Sequence, residues 1–211
     1  HTCGIQSDDT LWCWGADDVG QVGDGSGADR TTPVHVGTAT WKTVSAGDSH
    51  TCGIQSNNAL WCWGSNFHGQ LGDTTTATRT SPVPIGTATW KTVITGFDHT
   101  CGIRSDDTLW CWGNNTDGEI GDGTTTTRTT PVRVGTATWK TIGGGRFHTC
   151  GIRSNDTLWC WGYNAFGQIG DGTTGTNRTS PLQVGIGTWT AVAPGGQHTC
   201  AVDTDMTRWC W

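Results

Sequence analysis

Cysteine, histidine and paired acidic residues recur along this 211-residue chain at spacings that invite chemical roles. The tripeptide His-Thr-Cys stands at His1, His50, His99, His148 and His198, and a Trp-Cys-Trp follows each copy, beginning at Trp12, Trp61, Trp110, Trp159 and Trp209. Five equivalent histidines suggest a metal ring or a catalytic array. Distance argues against both, because equivalent positions on face-packed sheets lie about 10 Å apart, whereas nitrogens sharing one zinc must approach within about 3–4 Å of each other. Each histidine is read as holding its turn by hydrogen bonds. Acidic doublets such as Asp8-Asp9 and Asp106-Asp107 suggest paired carboxylates for hydrolysis, yet Asp is also the expected residue of a solvent turn. The Gly-Asp-Gly loops lack the dense carboxylate spacing of calcium loops. Neither metal nor cofactor is expected.

The ten cysteines fall in pairs with nine residues between: Cys3 and Cys13, Cys52 and Cys62, Cys101 and Cys111, Cys150 and Cys160, Cys200 and Cys210. If Ser7, Asp8 and Asp9 form a hairpin turn, Cys3 faces Cys13 directly across two antiparallel strands. Opposed Cβ atoms then approach to about 4.5–5.5 Å, near what a disulfide needs. Zinc sites prefer cysteines two to four residues apart. Five disulfides within repeats are therefore predicted, which places the chain in an oxidising compartment, extracellular or at the cell surface.

Such pairs require strands to hold them, and the landmarks recur every 49 residues, with a last interval of 50. The repeats run 1–49, 50–98, 99–147 and 148–197, with a partial copy at 198–211, in a single domain spanning 1–211. Fourteen tryptophans and 33 glycines with few aliphatic residues describe short strands and turns. Within one repeat the sequence predicts strands over Trp90–Thr95, His99–Arg104, Thr108–Trp112 and Thr129–Val134, separated by a turn at Gly96–Asp98, a turn at Ser105–Asp107 and a long loop over Gly113–Arg128. Four strands per repeat of this length make a β-propeller blade. Cys101, Ile103, Leu109 and Cys111 share one face by the period of two, while Gly102 lies opposite Trp110 on the other and is expected to make room for its indole. Trp12, Trp14, Trp41 and their copies are expected in the core between blades.

The pattern Gly145-Arg146-Phe147-His148-Thr149-Cys150, then Trp161-Gly162-Tyr163-Asn164-Ala165-Phe166-Gly167-Gln168-Ile169-Gly170-Asp171-Gly172, then a Pro strand, resembles the repeats of the regulator of chromosome condensation family. The resemblance covers the whole chain. It implies an all-β propeller, typically of seven blades, of which this chain would be an arc. The founding nuclear member's nucleotide exchange on a small GTPase is not carried over, since it resides in loops not recognisable here, and the paired cysteines point to a secreted branch. Similar bacterial propellers include an inhibitor of β-lactamases, which favours protein binding as the class of function.

Repeats differ most in two places that antiparallel strand order brings to one face of the ring: the turn before each His-Thr-Cys and the loop after each Trp-Cys-Trp-Gly. All four phenylalanines, Phe67, Phe97, Phe147 and Phe166, and the only tyrosine, Tyr163, fall there. With His68, Asp98 and Arg146 they form the predicted partner-binding set, because aromatic residues on one exposed face are typical interface anchors. The opposite face, with its Ser-Asp-Asp-Thr turns, is nearly constant. A protein partner calls for a face that varies from blade to blade, while a lectin calls for repeated identical pockets. A protein-interaction propeller is thus the first reading. A carbohydrate-binding propeller and a structural subunit of an extracellular appendage are the alternatives. The formal net charge of −6 lacks the basic stripe that nucleic acid requires. No stretch is apolar enough to span a membrane, and no catalytic constellation is evident.

The chain begins at the second strand of one blade and stops after the third strand of another. Three whole blades flanked by two partial ones are expected, either as an arc of a longer ring or with self-association through the incomplete blades.

Overall fold

The computed structural model describes residues 1–211, and every regular element is a strand. In chain order these are β1 (Thr2–Ile5), β2 (Leu11–Gly15), β3 (Arg30–His35), β4 (Trp41–Ala46), β5 (His50–Gln55), β6 (Ala59–Gly64), β7 (Arg79–Thr95) and β8 (His99–Arg104). They continue with β9 (Thr108–Gly113), β10 (Arg128–Gly144), β11 (His148–Arg153), β12 (Leu158–Gly162), β13 (Arg178–Gln183), β14 (Trp189–Pro194), β15 (Thr199–Asp203) and β16 (Arg208–Cys210). A ten-stranded run from β4 to β13 is flanked by three-stranded sheets β1-β2-β3 and β14-β15-β16, every pair antiparallel.

The ten-stranded run is three blades joined end to end. In one, the C-terminal half of β7 pairs with β8, β8 with β9, and β9 with the N-terminal half of β10. Residues expected to form a separate connection instead continue the strand. Thr138 pairs with Thr108 of the blade just left, and the register shifts between Arg133 and Thr138. Gly135, at φ +60°, supplies the bend within this stretch.

Each blade's hairpin turns as its sequence demands. Asp107 N–H donates to the Arg104 carbonyl at 3.0 Å, and Asp107 sits at φ 66°, a conformation that Asp and Asn tolerate best after glycine. That turn sets the register Cys101↔Cys111, and the five predicted disulfides are present, each with Cα atoms 4.1 Å apart. The cysteines of the three whole blades are fully buried, between Ile, Leu and Val of their own blade and tryptophan of the next.

The tryptophans divide into two classes. Trp41, Trp90 and Trp139 meet Trp63, Trp112 and Trp161 edge to face in the core, with ring centroids 5.6, 5.7 and 5.7 Å apart. The first indole of each Trp-Cys-Trp in the whole blades, Trp61, Trp110 and Trp159, is only half-buried, contrary to expectation. Gly102 does make room for an indole, but for Trp90 of the neighbouring strand and not for Trp110. A Cβ there would lie 2.8 Å from the Trp90 ring. The expectation failed because facing residues in a pair project side by side from the sheet, whereas the large ring of an adjacent strand can lean across a glycine.

Candidate protein-interaction face

The variable turns and loops meet as their strand polarity requires. Asn114 N–H donates to the Asp98 carbonyl and Tyr163 N–H to the Phe147 carbonyl, both at 2.8 Å, so each loop starts on top of the turn that precedes its blade's hairpin. Beneath the variable residues the loops are built alike. Asn115 Oδ1 accepts from Ile120 N–H at 2.9 Å, and its Nδ2 donates to the Thr124 carbonyl at 3.0 Å; Asn66 and Asn164 do the same in their own loops. Asp122 accepts from Thr124 and from the Arg128 guanidinium, which hold its carboxyl below the usual range despite burial. Asp73 and Asp171 are bound in the same way, by Arg79 and Arg178. The Gly-Asp carboxylates thus serve as loop locks.

On this fixed base the structure brings five of the eight predicted partner-binding residues into one array. Phe97 and Phe147 stand 5.4 Å apart between centroids, Phe147 and Tyr163 6.1 Å, and Tyr163 and Phe166 6.3 Å. The Arg146 guanidinium lies 4.8 Å from the Phe97 centroid and 5.0 Å from that of Phe147, with no carboxylate partner. Phe166 is 58% exposed, while Phe97, Phe147 and Tyr163 are half-buried against one another. Beside the array, His68 approaches Asp98 at 3.9 Å, and Gln70 donates to Asp98 at 2.9 Å. Burial raises the Asp98 carboxyl, with His68 opposing. Phe67 is 68% exposed and makes no ring contact with the array.

Phe97 and Arg146 also line a funnel of about 490 Å³ whose walls are otherwise short residues, among them Gly47, Gly96, Gly145 and Gly195. These glycines are sterically required. A Cβ on Gly96 would lie 2.1 Å from His99 Cε1 and 2.8 Å from the Gly145 carbonyl oxygen of the next blade.

The histidines are structural, but they do not hold their own turns as expected: the bonds they make cross to the next blade. His50 Nε2 lies 2.9 Å from Thr100 Oγ1 in the following blade, and Thr100 Oγ1 donates to the Gln70 carbonyl at 2.7 Å. Desolvation and the neighbouring histidines hold His50 and His99 down to about 3 and His148 to about 4, so all three are neutral near pH 7.

One residue of this face escaped the sequence reading. Glu119 occupies the position of Gln21, Gln70 and Gln168 in the other repeats and is 1% exposed. Its carboxylate accepts from Asp117 N–H at 2.9 Å, and desolvation raises it to about 7. A single acid in a glutamine column at the repeat period was the legible signal.

The solved structures that resemble this arc are propellers. Human WBSCR16 superposes with a TM-score of 0.86 at 18% identity, covering 94% of this chain and 54% of its own. Prp20p of Saccharomyces cerevisiae, a protein described with its binding to Gsp1p and histones, gives 0.86 at 19%, covering 99% and 55%. The ectodomain of the Physcomitrella patens receptor kinase CR4 gives 0.66 at 24%, covering 99% and 48%. The chain therefore spans about half the length of these structures. No curated protein matches the sequence significantly. The regulator of chromosome condensation (RCC1) repeat matches at residues 8–54, 57–103, 106–152 and 155–202, and a second form of the repeat at 41–70, 91–119 and 139–168. With the repeat found in four successive copies and the propeller fold beneath it, the chain belongs to the regulator of chromosome condensation repeat family.

Proposed function

We propose that this chain is part of a secreted or cell-surface propeller that acts by binding a protein partner and not by catalysing a reaction. The observation that carries this reading is the contiguity of Phe97, Phe147, Tyr163 and Phe166, with Arg146 across the first two rings, on the face whose residues change from blade to blade. Half-buried rings braced by one another lose little freedom on docking, which favours affinity. The unpaired Arg146 at the funnel mouth fits an acidic or carbonyl-rich segment of the partner. Five disulfides fit an oxidising environment, and no helix is long and apolar enough to cross a membrane. The fold shared with Prp20p, a protein described with its binding to Gsp1p and histones, is compatible with protein binding.

Affinity capture from the native extracellular fluid tests the reading, with wild type, a Phe97→Ala/Tyr163→Ala variant and an Asp106→Ala variant of the opposite face as baits. A protein retained by wild type and Asp106→Ala, but lost with the array variant at unchanged melting temperature, is expected. Equal retention by all three baits would refute the site.

A further inference from the structure

The opposite ends of the same strands carry a feature that the aromatic face leaves unused. Strand β8 runs from His99, beside the variable turn, to Arg104 at the constant Ser105–Asp107 turn. There Arg104 pairs across the ladder with Trp90, and its guanidinium carbon sits 5.1 Å from the Trp90 ring centroid and 3.5 Å from that of Trp110. Arg153 repeats this between Trp139 and Trp159, at 5.2 and 3.4 Å. In both copies the arginine Nε and the inner tryptophan Nε1 are buried, and no protein group accepts from them. Trp90 is 1% exposed. Trp41 and Trp189 leave the same indole N–H unmet where Gln55 and Asp203 stand in place of the arginine, so what sets these two blades apart is the stacked guanidinium.

Around the first pair opens a cleft of about 420 Å³, bounded by Trp90, Arg104, Pro84, Pro131, Thr87 and Thr130. Asp73 also borders it, but its carboxylate is committed to Arg79 at 2.7 Å and to Thr75. Arg104 makes no ion pair within 4 Å, and the one carboxylate that acts on its charge is Asp106 of the adjoining turn, whose oxygen is already held by Thr108. The guanidinium at one end suits a carboxylate. Threonine hydroxyls and proline faces along the walls suit the alternating hydroxyl and C–H surface of a sugar ring.

We propose that this cleft binds a carboxylate-bearing sugar residue of the hexuronate type, its carboxylate accepting from the Arg104 guanidinium beside the Trp90 ring and its hydroxyls meeting Thr87 and Thr130. The site is separate from the aromatic array: its Arg104 end lies at the constant turn, and Gly72–Thr74 of the preceding blade's loop border the other end.

Titration of the intact chain with D-glucuronate, D-glucose and acetate, followed through the indole N–H resonances, tests this directly. Trp90→Phe assigns the reporting signal. Arg104→Gln removes the cation with a residue that the preceding blade already carries as Gln55. A saturable shift of the Trp90 indole with glucuronate is expected, with glucose and acetate each weaker by roughly tenfold or more and a similar loss in Arg104→Gln. No saturable shift, an equal response to acetate, or an unchanged response in Arg104→Gln would overturn the proposal.

Discussion

His50 and Thr100, one blade apart, share a hydrogen bond of 2.9 Å whose direction the structure determines. Thr100 spends its single proton on the Gln70 carbonyl at 2.7 Å, so its oxygen accepts from His50, which carries its proton on Nε2. The same chain of bonds joins His1, Thr51 and the Gln21 carbonyl, His99, Thr149 and the Glu119 carbonyl, and His148, Thr199 and the Gln168 carbonyl. Blades are thus stitched to one another by polar bonds as well as by tryptophan.

Replacing Thr100 with valine keeps the shape, leaves a buried imidazole N–H without a partner and leaves the Gln70 carbonyl with only the Trp112 indole as donor. The expected cost is about 1–3 kcal/mol in urea unfolding, and Thr100→Ser should restore most of it. A loss below about 0.5 kcal/mol would show that the bond does not hold the blades.

Acid should unfold this protein early. His50, His99 and His148 bind a proton near 6.5 when unfolded but only near 3, 3 and 4 when folded. The unfolded state therefore takes up more protons below pH 6.5, and stability present above that value falls as pH drops towards the folded values. The three together give a slope of roughly 4 kcal/mol per pH unit. Denaturant midpoints measured from pH 7 to pH 4 check this, and a flat profile would contradict it.

Glu119 acts in the opposite sense. Its folded value of about 7 exceeds the ordinary 4.5, so its contribution is present at acid pH and is lost as pH rises through 7. Glu119→Gln, matching its sister repeats, should stabilise the protein by about 2–3 kcal/mol at pH 8 and by little at pH 4. Melting curves of the two proteins at both pH values read the difference. An equal effect at the two values would remove the carboxylate from the explanation.

Each disulfide closes a short loop within a hairpin, for which chain entropy gives on the order of 2–3 kcal/mol. Cys101→Ala/Cys111→Ala should therefore lower stability by about that amount without opening neighbouring blades. Non-reducing peptide mapping of the wild type should recover only the five pairs within repeats.

Much of this architecture is legible because the 49-residue repeat displays it several times. The hairpin register and the disulfides follow from nine residues between cysteines and a three-residue turn, and the structure has both. The gathering of variable positions on one side follows from strand polarity alone. Contacts between blades are less legible. Nothing in the spacing of His50 reveals that it reaches Thr100 and not its own turn, since that depends on how one blade rotates onto the next. Trp110 and Trp90 look equally suited to the core, and only the lean of Trp90 over Gly102 separates them. The aromatic array was visible as a set of residues but not as a chain of touching rings, because Phe147 and Tyr163 meet only once turn and loop are folded together.

The central claim is that the partner docks on the array, and site-specific photo-crosslinking tests it most directly. A photoreactive phenylalanine analogue placed at Phe166, which is 58% exposed, or at Asp106 on the constant face, reports which surface a partner touches in native extracellular fluid. One dominant protein adduct is expected from position 166, suppressed by Phe97→Ala/Phe147→Ala, and none from position 106. Adducts of equal yield from both positions, or from position 106 alone, would contradict it.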